Sequence, residues 1–172
     1  CFVKPNNAGS SYGISKAHIR EEILPAIEKA YKEDSEILIE SFLDGTEVSV
    51  GVIQYKGEIR VLPITEIVTE NDFFDYEAKY EGKSQEITPA RISENQKINI
   101  EETAKKVYSL LNMSGFSRSE YILVDDEPCF LEINTVPGLT EESILPQQSL
   151  LAGISLRELF DTAIVDSLNK GI

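Results

Sequence analysis

The sequence predicts an α+β fold divided into two small lobes, and three observations carry that reading. Apolar residues recur at helical spacing around residues 19–30, 100–111 and 156–163. Strand-like runs with alternating character adjoin one another across tight-turn residues. An Asp44-Gly45 break separates a first lobe, residues 1–40, from a second, residues 41–172. With 172 residues, 41% of them apolar, the chain is long enough to bury a core.

Taken in order, Phe2 to Lys4 reads as the end of a strand running into the loop NNAGSSYG. The opening CFVKP, an apolar stretch without a methionine, reads as a cut through a larger protein. A helix follows, with Ser15 as its N-cap, Ile19, Ile23, Ala26, Ile27 and Ala30 on one face, and a bend at Pro25. EILIE reads as a short buried strand. After Asp44-Gly45, TEVSVGVIQ and EIRVLPITEIV read as two strands joined by a tight turn at Lys56-Gly57. Residues from about Glu70 to Ser93 lack a period and are too long for an ordinary connection, which predicts a functional loop. A second helix buries Ile100, Ala104, Val107 and Leu111. Strands over Ser119 to Val124 and Pro128 to Ile133 come next, and TVPGLTEESILPQQ reads as a further loop. Ser155 and Glu158 form a capping box for a last helix with Leu156, Leu159, Phe160 and Ala163 inward.

Charge limits the partners. Asp and Glu number 30 against 16 Lys and Arg, a net charge of -14 that repels nucleic acid and anionic membrane. No apolar run is long enough to span a bilayer and no signal-peptide pattern opens the chain, which predicts a cytoplasmic protein. Cys1 and Cys129 form no metal-ligand or CxxC pattern and read as plain thiols. His18, the only histidine, reads as a surface residue.

Three constellations carry possible chemistry. Lys4 precedes a loop with Gly9, Ser10, Ser11 and Gly13, suited either to phosphate contact through backbone N–H groups or to an ordinary surface loop. Arg118, Glu120, Glu132 and Asn134 form the second. If Asp125, Asp126 and Glu127 make an odd-length connection, Glu120 faces Glu132 across the hairpin, and like charges so placed call for a hard cation. The alternative is a solvated sheet face on which Arg118 pairs a glutamate. The third is FFDYEAKYEG, where Lys79 and Tyr80 sit either on a closing segment or among aromatics that pin the loop.

The order KPNNAGSSYGIS, IESFLDGTE, DYEAKYE, LEINTVPGLTEES resembles the D-alanine-D-alanine ligase family over nearly the whole chain. The resemblance implies an ATP-grasp fold, with residues 1–40 part of the central lobe and 41–172 the C-terminal lobe, and with the upstream preATP-grasp domain absent. It implies ATP and two magnesium or manganese ions as cofactors, two D-alanines as substrates and a homodimeric parent protein. On the family's pattern Lys4 and Lys79 contact the phosphates, and Glu40, Ser41, Phe42 and Leu43 line the adenine. Glu47 holds the ribose, and Ser10 and Tyr80 tie the mobile loops together. Glu120, Glu132 and Asn134 bind metal, and Arg118 stabilises the intermediates. Gly138 offers an N–H to the oxyanion, while Ser143 and Ile144 hold the carboxylate of the second D-alanine. Glu120 stands where the family commonly has aspartate, Ser41 where lysine is frequent, and Phe42 where a bulkier aromatic is found. The rival readings are a ligase joining D-alanine to D-lactate or D-serine, another ATP-grasp ligase, and a nucleotide-binding module without catalysis.

Overall fold

The computed structural model describes residues 1–7, 9, 11–69 and 84–169. The chain forms two compact units, one of Cys1–Asp44 with Thr69–Gln85, the other of Gly45–Val68 with Glu86–Ile172.

In the first unit, β1 (Phe2–Pro5) lies between β2 (Ser15–Lys16) and β3 (Ile37–Glu40) in an antiparallel sheet. Helix α1 (Ile23–Ala30) covers it, burying Ala26 and Ala30 on Val3. Ser15 is therefore a strand residue and not the expected helix cap. A 3-10 turn over Arg20–Glu22 leads into α1, and Ile19 is left exposed. Pro25 falls in the first turn of the helix, where its missing N–H has no intrahelical partner to lose, so it does not interrupt the helix.

The second unit is built on a six-stranded sheet in the order β7-β6-β4-β8-β9, with β5 also paired to β4. Its strands are β4 (Thr46–Tyr55), β5 (Glu58–Val61), β6 (Thr65–Thr69), β7 (Ser84–Ile87), β8 (Phe116–Val124) and β9 (Glu127–Asn134). The Lys56-Gly57 turn forms as expected, with both residues at positive φ, as a two-residue hairpin of this hand requires. EIRVLPITEIV is two strands rather than one. Pro63 has no N–H to donate, and Leu62-Pro63-Ile64 steps away between β5 and β6. Strand β7 lies within the stretch read as a loop, and residues 70–83 are outside the described residues.

Helix α2 (Glu94–Leu110) opens on a full capping box between Ser93 and Gln96 and buries Ile100, Ala104 and Tyr108 against Val48, Val50, Val52 and Tyr121. Leu111, expected inside, caps the helix and is half exposed. On the opposite face of the sheet, Ile53 and Leu62 pack with Leu145, Ile154 and Leu159. Leu145 belongs to α3 (Ile144–Leu151), a helix inside the stretch expected to be loop. Its eight residues include Pro146 and are buried at five consecutive or near-consecutive positions, so no amphipathic period marks them. Helix α4 (Leu156–Asn169) follows. The Ser155 hydroxyl accepts the Glu158 N–H, but the Glu158 carboxylate goes to the Tyr55 hydroxyl at 2.6 Å instead of closing a capping box. Among the described residues no helix is long and apolar enough to cross a membrane.

Candidate active site

Strand β8 alternates strictly. Ser117, Ser119, Tyr121 and Leu123 are buried on the α2 side, and Arg118, Glu120 and Ile122 share the other face. The hairpin to β9 places Glu120 opposite Glu132 and Arg118 opposite Asn134, the juxtaposition the sequence suggested. The route to it differs. Val124 pairs Glu127, so the connection is the two residues Asp125-Asp126, with Asp125 at φ +54°. An even connection alone would turn Glu132 to the α2 side. The register slips by one between Tyr121↔Phe130 and Glu120↔Glu132, leaving Leu131 as the extra residue of a β-bulge, and the slip restores the shared face.

Glu120 is the most constrained charge on this face. Its Oε1 accepts from Arg118 Nε at 3.0 Å and from Asn134 Nδ2 at 3.3 Å. Among the described residues its Oε2, which is buried, has no hydrogen-bond partner. Ser49 lies directly across β4, its hydroxyl close enough to favour the ionised carboxylate but outside hydrogen-bonding geometry. Burial pushes the Glu120 carboxyl above its ordinary range, Arg118 pulls it back, and Glu132 pushes it up again. Glu132 is exposed. The ion pair of the solvated-face reading is therefore present, yet among the described residues it leaves one buried carboxylate oxygen without a hydrogen bond. Two carboxylates and an amide oxygen are a hard donor set of the kind magnesium takes, and the orphaned Oε2 fits a cation. Among the described residues no three His, Cys, Asp or Glu side chains converge on one point, and magnesium commonly takes one or two carboxylates with phosphate oxygens and water besides.

Helix α3 lies on the same sheet face. A Cβ on Gly51, which pairs with Arg118 across the ladder, would come within 2.5 Å of Gln148 Oε1 and 2.6 Å of Leu145 Cδ1. Only glycine lets the helix come this near. Gln148 accepts from Gly51 N–H at 3.0 Å and donates to Ser49 O and Thr65 Oγ1, each at 2.9 Å. Ser143 is the N-cap of α3, and its hydroxyl bonds Thr140 Oγ1 at 2.8 Å. A Cβ on Gly138 would sit 2.7 Å from Ser143 Oγ, so the PGLT turn closes directly on that serine. Ile144 opens the helix and is buried. The first N–H groups of such a helix have no internal partner and face the serine side, which suits a carboxylate.

In the first unit, Lys4 Nζ pairs Glu40 Oε2 at 2.7 Å, a diagonal contact across β1 and β3. Phe42 stacks near Phe2 and lies under Lys16 Nζ at 4.5 Å from the ring centroid. Ser41 is exposed and Leu43 half-buried beside it. The loop after β1 is tied down by the Asp34 carboxylate, which accepts Asn7 N–H at 2.6 Å and is lowered in pKa chiefly by that bond. Glu47, on β4 in the second unit, is half-buried. Ser10, Lys79 and Tyr80 lie outside the described residues.

Sequence reasoning missed Gln148, Thr140 and Asp34. Thr140 and Asp34 sit in turns, where a short polar side chain is unremarkable. Gln148 is polar in a stretch read as loop, and only knowledge that a helix is there would show it to be buried.

The family described as "D-ala D-ala ligase C-terminus" matches residues 1–165. A D-alanine--D-alanine ligase of Flavobacterium johnsoniae is 70% identical over 98% of this chain and 52% of its own length. A solved D-alanine--D-alanine ligase from Bacillus anthracis, complexed with ATP, superposes with a TM-score of 0.81 at 27% identity, over 98% of this chain and 52% of that one. The VanG D-Ala:D-Ser ligase from Enterococcus faecalis gives 0.82 at 36% identity, over 95% and 48%. The chain thus spans about half the length of the curated relatives it matches. It belongs to the D-Ala-D-Ala ligase family, whose ATP-grasp α+β fold it carries across nearly its full extent.

Proposed function

We propose that the protein is an ATP-dependent D-alanine-D-alanine ligase, forming the dipeptide for peptidoglycan precursors in the cytoplasm. The observation that carries this reading is the Arg118-Glu120-Asn134 cluster facing Glu132, with one buried carboxylate oxygen unpartnered, on the sheet face where Gly51 admits the serine-capped helix α3. A nucleotide-binding module without catalysis has no need of a carboxylate-binding helix end beside such a cluster.

On this reading the carboxylate oxygen of the first D-alanine attacks the terminal phosphorus of ATP and ADP departs. On the family's pattern Lys4, Lys79 and Arg118 would disperse the charge that accumulates in the transition state, and Lys4 is paired with Glu40. Glu120, Glu132 and Asn134 would hold magnesium or manganese, which supplies further positive charge to the phosphates. The backbone of Glu40 to Leu43 meets the adenine, with Phe42 packing nearby, and Glu47 meets the ribose. Ser143 and the N–H of Ile144 hold the second D-alanine by its carboxylate. Its amine attacks the acyl carbon, the Gly138 N–H steadies the oxyanion, phosphate leaves, and the nitrogen gives up a proton. On the family's pattern Ser10 and Tyr80 would tie the mobile loops together, which would keep water from the acyl phosphate.

The test is a chimera in which this chain replaces the matching half of the Flavobacterium johnsoniae ligase. Phosphate release from Mg-ATP is measured with D-alanine, D-lactate, D-serine or L-alanine, with Lys79→Ala as control. Release that needs D-alanine alone and collapses in the control is the expected result. Release only on adding D-lactate or D-serine would move the chain to the depsipeptide or D-serine branch. A folded chimera that releases none would overturn the ligase reading.

A further inference from the structure

We propose that Gln148 is a positioning residue that sets where the second amino acid is held, by locking helix α3 to the strand that carries the partners of Arg118 and Glu120. The proposal rests on the ligase reading for its substrate and on geometry for its mechanism.

A glutamine with no exposed surface is uncommon, because a buried primary amide loses its water and must find protein partners for two donors and an acceptor. Gln148 finds them all. Gly51 N–H donates to its Oε1, while its Nε2 donates to Ser49 O and Thr65 Oγ1. The site exists because β5 and β6 do not form one strand. Between Val61 and Thr65 the chain steps away at Pro63, so β4 loses its neighbour beside Val50. The Gly51 N–H and Ser49 C=O point into that gap. The side-chain amide fills it, accepting from one and donating to the other as a strand's own peptide group would.

The consequence reaches the site in two directions. Along the ladder, Ser49 pairs with Glu120 and Gly51 with Arg118. Along the helix, Gln148 lies within α3, whose N-cap is Ser143 and whose first backbone bond is Gln147 N–H to Ser143 O at 3.2 Å. One amide therefore fixes the carboxylate-holding end of α3 relative to the charged cluster. The second amino acid is held at that end by its carboxylate, so a loosened α3 weakens the hold on the substrate before any chemistry begins.

Gln148→Met keeps length and volume and removes every polar contact. In the chimera, it should raise the half-saturating concentration of the second D-alanine about tenfold while kcat and the KM for ATP stay within about twofold. Gln148→Glu, which sets a carboxylate oxygen against the Ser49 carbonyl, should be impaired at least as much as Gln148→Met. A uniform loss of kcat and both KM values, or no change in any, would overturn the proposal. If the parent chimera is itself inactive, the ligase reading has failed, and amide exchange on this chain decides the present one. Gln148→Met should speed exchange at Gln147 on the order of tenfold with the Ala104 amide of α2 unchanged. Unchanged protection at Gln147 would refute the lock.

Discussion

Replacing Glu120 with glutamine in the absence of divalent metal should stabilise the second unit once pH rises past the folded pKa of that carboxyl. Burial raises the folded-state pKa of this carboxyl above its ordinary 4.5 even though Arg118 sits 3.0 Å away, so the surroundings as a whole favour the neutral form. A raised carboxyl binds its proton more tightly in the folded state. Its contribution to stability is full below the unfolded pKa and is lost as pH climbs through the folded one. Once pH passes the folded pKa the parent bears an ionised, half-satisfied carboxylate, and an unsatisfied buried oxygen costs about 1–3 kcal/mol. Glutamine keeps an acceptor for Arg118 and Asn134 and turns an N–H2 toward Ser49, whose buried hydroxyl has no partner among the described residues either. Allowing for the weakened pairing with Arg118, the net gain is about 1 kcal/mol, or roughly 2–4 °C in Tm for a chain of this size. Thermal melts in chelator from pH 4 to pH 8 should show the variant level with the parent at the acid end and above it at pH 8. Adding magnesium with ADP should raise the parent and not the variant. A variant less stable than the parent at pH 8, or a difference that ignores pH, would refute the account of Oε2.

Gly138→Ala should strike the same carboxylate site from the other side. Its Cβ would meet Ser143 Oγ at 2.7 Å, so the serine must leave Thr140, and the chimera should lose affinity for the second D-alanine about tenfold or more with ATP affinity kept, as read by steady-state kinetics. Arg91→Met tests the latch that follows β7. Arg91 gives Glu66 its backbone N–H at 3.1 Å and two guanidinium bonds at 2.9 and 2.7 Å, which hold that carboxyl below its ordinary 4.5. A depressed carboxyl stabilises above the unfolded pKa and ceases to as pH falls through the folded one. The urea midpoint of the variant should lie below the parent's at pH 7, and the gap should close on acidification below 4.5.

The hairpin shows which parts of this architecture a sequence carries. Period-two patterning predicts both strands, and a three-residue connection over Asp125, Asp126 and Glu127 would set Glu120 opposite Glu132. Parity then demanded an odd connection, and the chain supplied an even one with a bulge at Leu131. A bulge leaves no mark in the apolar pattern because it changes hydrogen-bond pairing without changing which side chains are apolar. Helix α3 was illegible for a related reason. A short helix buried on most of its surface has no polar face to give it a period, and its Pro146 reads as a break although it is harmless in a first turn. Lys4 was singled out as a phosphate contact, but nothing in its spacing from Glu40 announces their ion pair, which depends on the diagonal register of β1 against β3.

These omissions share a cause with the mechanism proposed for Gln148. Sequence patterns report which surface a segment buries, whereas a site depends on how far one element stands from the next, and that distance is set where patterns are interrupted. Here the interruption at Leu62-Pro63-Ile64 opens the β4 ladder, Gly51 removes the side chain that would hold a helix off, and one glutamine closes the gap. Each change alone is unfavourable: a broken ladder, a glycine in a strand and a buried amide. Together they satisfy one another, and they do so beside Arg118 and Glu120. Gly51→Ala is therefore expected to resemble Gln148→Met in kinetics, because both displace the same helix end. A Gly51→Ala chimera with the parent's half-saturation for the second D-alanine would show that α3 can shift without moving the site.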